Sequence, residues 1–140
     1  DEYNRLHPLT DTAQESWVSK QLRHTDGIVV SATDHMRAYS EQIRGYLPDN
    51  RPYVTLGTDG YGRSDTRGNL RSYFGVDAAH IVVATLKKLA DEGEVENRLV
   101  KDAISSFELD TDRPVAWAPQ EHPQVQAVAE YHEHQAGEGN

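Results

Sequence analysis

The chain contains no cysteine. That excludes a disulfide framework, a thiolate nucleophile and a thiolate-bound metal. It also lacks an excess of positive charge: 14 lysines and arginines stand against 23 aspartates and glutamates, a formal net charge of -9. Bulk electrostatics therefore argue against nucleic acid and against an acidic membrane surface as partners. No apolar run approaches the length of a bilayer span, and no leader pattern opens the sequence. A cytoplasmic protein is the expectation. The opening "DEYNRLHPLTD" has no initiator methionine, which reads as a processed form or a piece of a longer chain.

What is present fits one domain with one core, at 140 residues. Residues 12–22 read as a helix, with Thr12 and Glu15 in capping-box spacing and Trp17, Val18 and Leu22 as its buried stripe. "GIVVSAT" (27–33) reads as a strand buried on both faces. Met36, Tyr39, Ile43, Tyr46 and Leu47 recur at helical spacing, with Asp34 as cap and Pro48 as stop. "PYVTLGT" is a second strand. Leu70, Tyr73 and Phe74 mark a short helix ended by Gly75, and Asp77 caps a longer one through Val82, Val83, Leu86, Leu89 and Ala90 to Gly93. Val95, Leu99, Val100, Ala103, Ile104 and Phe107 form the stripe of a last helix. Strands alternating with helices predict an α/β domain around a mainly parallel sheet. Two strands alone are marginal, so further strands of the same sheet are expected outside this chain. Residues 110–140 read as an extended arm in which Val125, Val128 and Ala129 support at most one short helix.

The richest stretch is "VTLGTDGYGRSDTRGNLRSYFGVD" (54–77). It is no Walker loop, because no Lys-Ser or Lys-Thr follows its glycines, and the dinucleotide glycine spacing is absent. Thiamine-dependent enzymes hold their diphosphate and magnesium with Gly-Asp-Gly and a later asparagine; here Asp59-Gly60 follows a threonine and Asn69 comes too early. Two readings remain for the loop of Gly57, Asp59, Gly60, Gly62, Arg63, Ser64, Asp65 and Arg67. Its amides, helix start and guanidinium groups hold an anion, or it is a tight turn whose aspartates and arginines pair with each other or with a neighbouring domain. His35, just past the first strand, lies at the edge where open α/β sheets take ligands. His80, inside "AAHIVVATL", reads as a packed, hydrogen-bonded histidine. His122, His132 and His134 in the arm have no predicted scaffold and would meet a divalent ion only adventitiously. Ser31 and Ser64 lack nucleophile-elbow glycines. The residues assemble no catalytic centre, cofactor site or metal site.

"LGTDGYGRSDTRGNLRSYFGVDAAHIVVATLKKLADEGEV" closely resembles the C-terminal domain of the homodimeric bacterial pyruvate dehydrogenase decarboxylating component. The matching passages are 57–65, 69–74 and 76–94, with "RLHPL" and "IVVSATDHMRAYSEQIRGYLP" upstream, so the likeness spans 3–109. It implies a transketolase-like C-terminal domain, 1–109, in the form of a three-layer α/β/α sandwich with a mostly parallel sheet whose first strands are missing here. It also implies a parent that decarboxylates pyruvate on thiamine diphosphate and Mg2+, both bound outside this chain. The implied partners are the rest of the parent chain, a homodimer partner and the dihydrolipoamide acetyltransferase component. No catalytic or cofactor-binding residue of the family carries over. Two departures stand out: Gly68 holds a helical position where the family commonly has glutamate, costing about 1 kcal/mol, and the arm continues beyond the typical family ending.

Overall fold

The computed structural model describes residues 2–116. The predicted arm helix and His122, His132 and His134 lie outside them. The order of elements is α1 (Glu2–Leu6), α2 (Trp17–Leu22), β1 (Val29–Ala32), α3 (Arg37–Glu41), two 3₁₀ turns (Arg44–Tyr46 and Pro48–Asn50), β2 (Tyr53–Leu56), α4 (Arg67–Phe74), α5 (Ala78–Asp91) and α6 (Asn97–Ser106).

β1 and β2 pair in parallel, Val29 opposite Tyr53 and Ala32 opposite Leu56. Parallel strands need a crossover, and the segment through α3 supplies it. Side chains alternate along a strand, so Ser31, Tyr53 and Thr55 share the face turned to α3. The bonds there confirm it: Ser31 Oγ donates to Ser40 Oγ at 3.0 Å, the Tyr53 hydroxyl to the Ser40 carbonyl at 2.8 Å, and Thr55 Oγ1 to Glu41 Oε1 at 2.5 Å. Arg44 completes the layer by gripping Glu41 at 2.6 and 2.9 Å and lying 4.9 Å over the Tyr53 ring. These bonds, Arg44 first and Thr55 next, hold the Glu41 carboxyl down at about 2.

The helix ends are set by local chemistry. Thr66 caps α4 by accepting from the Asn69 amide at 3.3 Å, and Asp77 caps α5 by accepting from the His80 amide at 3.0 Å. α4 closes on left-handed Gly75 (φ 69) with Val76 N–H donating to Arg71 O and Gly75 N–H to Ser72 O. α5 ends the same way at Gly93 (φ 81), and both are Schellman closures. α6 closes likewise, but its left-handed residue is Glu108 (φ 52), not glycine.

Several helix starts and buried faces differ from those the sequence pattern predicts. The box of Thr12 and Glu15 does not form: α2 starts later, capped by Ser16, which accepts from the Ser19 amide at 3.1 Å, while Glu15 pairs with Arg23 at 3.1 Å. Its Trp17 is 73% exposed rather than buried. Asp34 caps nothing, because α3 begins after Met36, and its carboxylate instead faces Arg71. The helix expected through Leu47 stops at Glu41 and continues as 3₁₀ turns. The first strand is half-buried over most of its length, not buried on both faces.

The sheet has two strands among the described residues, and the buried apolar side chains there are Leu47, Tyr53, Val76 and Val100. The architecture is mixed α/β with a small parallel sheet. Among the described residues no helix is long and apolar enough to cross a membrane.

Candidate functional site

The loop leaving β2 folds back onto the turn between β1 and α3. Gly57 makes this possible: a Cβ there would stand 2.7 Å from the His35 carbonyl oxygen and 2.8 Å from the Arg37 amide nitrogen. The close approach lets Thr58 N–H donate to His35 O at 2.9 Å and Thr58 Oγ1 to Asp34 O at 2.8 Å. Asp59 then accepts from the Arg37 amide at 2.9 Å and pairs with its guanidinium. Partial burial pushes the Asp59 carboxyl up, but the Arg37 amide and guanidinium outweigh it and leave it below the usual range. Gly60 follows with φ 104, a backbone that favours glycine.

Further along, each charged group meets a partner of a different kind. Asp65 accepts from the Thr66 amide at 2.6 Å and the Asn69 side chain at 2.8 Å, which lowers its pKa. Arg63 lies 4.3 Å over the Tyr73 ring. Arg67 approaches Asp34 at 3.8 Å, and Arg71 Nη2 donates to both oxygens of the same carboxylate at 3.4 Å, while Arg71 Nε only pairs with it by charge. The structure thus gives Asp59 and Arg67 partners outside the loop, Arg37 and Asp34 beyond the end of β1, and gives Asp65 uncharged partners at the start of α4. Gly62 and Ser64 sit on the exposed rim. His35 does lie beyond the C-terminal end of β1; its ring is exposed and meets Tyr39 edge-on at 6.0 Å.

Sequence reasoning misses Arg71 and Arg37 as the counter-ions of Asp34 and Asp59. Arg71 is 37 positions from Asp34, and no local signal joins them. His80 behaves as predicted, packed and bonded to Asp77 at 2.6 Å.

The arrangement does not fit a diphosphate and its metal. Asp59 faces Arg37 and Asn69 faces Asp65, so the two do not converge on one cation. Among the described residues no group of three His, Asp or Glu side chains is placed to hold a metal.

Fold and loop together define a mixed α/β unit with a small parallel sheet, whose loop aspartates bond to Arg37 and Asn69. No protein-family model matches the chain. It is, however, 48% identical over 114 residues to the pyruvate dehydrogenase E1 component of Cupriavidus necator, a match covering 81% of this chain and 12% of that protein. The corresponding protein of Haemophilus influenzae is 48% identical over 111 residues (79% and 12%), and that of Escherichia coli K12 is 43% identical over 113 residues (81% and 12%). The chain belongs to the pyruvate dehydrogenase E1 component family, as a segment of its C-terminal part. It spans about 12% of the length of those relatives.

Proposed function

We propose that this segment is the C-terminal structural domain of a pyruvate dehydrogenase decarboxylating component, and that it supplies architecture rather than chemistry. The observation that carries this is the 48% identity over 114 residues, read with a loop whose aspartates are engaged by their own neighbours. The parent, in this reading, is a cytoplasmic homodimer that decarboxylates pyruvate on thiamine diphosphate and Mg2+ and acetylates the lipoyl groups of the dihydrolipoamide acetyltransferase component. The thiamine and metal sites lie elsewhere in the parent; nothing in this segment is routed through them.

The fold assignment follows the same reading. Residues 1–109 form one domain of a transketolase-like α/β/α sandwich, and strands contributed by the rest of the parent extend the sheet. The support is energetic: a lone parallel pair is marginal, and no described side chain is fully buried. The arm 110–140 follows this domain. The alternative of a regulatory nucleotide or anion module in the 57–67 loop gains no support, since Asp59, Asp65 and Arg67 each already have a protein partner, in Arg37, Asn69 and Asp34.

The test is pyruvate-dependent reduction of an artificial electron acceptor by the full-length protein. Turnover that requires added thiamine diphosphate and Mg2+ is expected. Turnover indifferent to both would overturn the assignment.

A further inference from the structure

Beyond the loop, a second polar cluster joins three segments that are far apart in sequence. Arg113, in the stretch after α6, reaches back to the junction of α4 and α5. Its Nη1 donates to the Ser72 carbonyl at 2.6 Å, at the C-terminal end of α4, and its Nη2 lies 3.0 Å from His80 Nε2. The His80 ring is about four-fifths buried, and its Nδ1 sits 2.6 Å from Asp77 Oδ1. A guanidinium can only donate. His80 Nε2 must therefore accept, and Nδ1 carries the proton toward Asp77. The geometry is written for a neutral imidazole.

Gly75 leaves the space: a Cβ there would come within 3.1 Å of Arg113 Nη2 and 3.3 Å of His80 Cδ2. With Arg113 held, Pro114 and Val115 form one wall of a cavity of about 180 Å³ at the C-terminal end of β2, opposite Leu56, Gly57 and Tyr73. That end of a parallel strand is where open α/β sheets accept ligands.

We propose that Arg113 is a latch that straps residues 113–116 over this cavity, and that protonation of His80 releases it. The groups facing the ring are Asp77 at the start of its own helix, Arg113 from the strap, and the uncharged Gly75 that closes α4. Among the described residues no other charged group bonds to it. Protonation at Nε2 removes the acceptor of Arg113 and sets two cations side by side. The contact with Asp77 survives, because Nδ1 already donates to it. The cap of α5 therefore stays, while Arg113 keeps only the Ser72 carbonyl, and repulsion between the two cations drives the strap off. Histidine is the side chain whose ordinary titration falls in the physiological range.

The test is 19F NMR of the full-length protein with a trifluoromethyl-phenylalanine at position 115, which is half-exposed. Docked and released strap should give distinct resonances, and the released-to-docked ratio should rise about tenfold or more between about pH 8 and about pH 5.5. His80→Gln keeps a carbonyl acceptor for Arg113 without a titrating ring, and its ratio should not change with pH. Arg113→Gln should show the released signal throughout. A ratio independent of pH in the unsubstituted background, or an equal pH response in His80→Gln, overturns the proposal.

Discussion

Gly57→Ala is the substitution that interrogates the loop most sharply. The added Cβ would lie 2.7 Å from His35 O, 2.8 Å from Arg37 N and 2.9 Å from Arg37 Cγ. Two of these three are backbone atoms, so no side-chain rotation relieves the clash. The loop or the turn at 34–37 must move by several tenths of an ångström. Overpacking of this kind costs about 1–3 kcal/mol. The same displacement weakens Thr58 N–H to His35 O and Thr58 Oγ1 to Asp34 O, each worth about 1 kcal/mol. A local loss of about 2–4 kcal/mol follows, roughly a 30- to several-hundred-fold rise in opening. Hydrogen exchange of the peptide containing the Thr58 amide, in the full-length protein, reads that opening directly. Gly62→Ala is the matched control, because a Cβ at Gly62 meets nothing within 4 Å. If Gly57→Ala exchanges no faster at Thr58 than Gly62→Ala, the close approach does not hold the loop in place.

Gly68 lies in the first turn of α4 with open space where its Cβ would be. Gly68→Ala should slow exchange of the α4 amides by about 0.5–1 kcal/mol in local stability; faster exchange would count against it. Glu108 closes α6 at φ 52, so Glu108→Gly should remove about 1 kcal/mol of left-handed strain and raise protection at the Leu109 amide, which bonds to Ile104 O at 3.1 Å. Glu41 has its carboxyl lowered from 4.5 to about 2. Its stabilisation is complete above the ordinary carboxylate range and lost as pH falls from about 4.5 toward 2. With its side chain 38% exposed, solvent screening reduces the effect to on the order of 1–2 kcal/mol. Exchange of the β2 amides should accelerate over that pH window, and Glu41→Gln should abolish the acceleration.

The features legible in the sequence are those written in a few adjacent residues. Gly75, Asp77 and Gly93 are readable because a left-handed closure or a helix cap needs only its own turn. The two strands are readable from their β-branched runs. Thr12 and Glu15 mislead because Ser16 offers an equivalent cap nearer the apolar residues, while Glu15 finds Arg23. Asp34 misleads because its partner comes from α4. The bond between Arg113 and His80 spans 33 positions, and only folded geometry brings them together. For the loop, spacing offers both an anion site and a paired turn. The choice rests on where the side chains of Arg37 and Asn69 point.

The central claim is that this segment shapes the parent enzyme without taking part in its chemistry. Its most direct test is the pyruvate turnover of the full-length protein carrying Arg63→Ala, Asp65→Ala and Arg67→Ala together. A kcat within about twofold of the unsubstituted protein is expected, since removing groups that stabilise a transition state costs far more. A drop of about a hundredfold or greater, in protein that remains folded and of unchanged size, would place this loop in the reaction and contradict the claim.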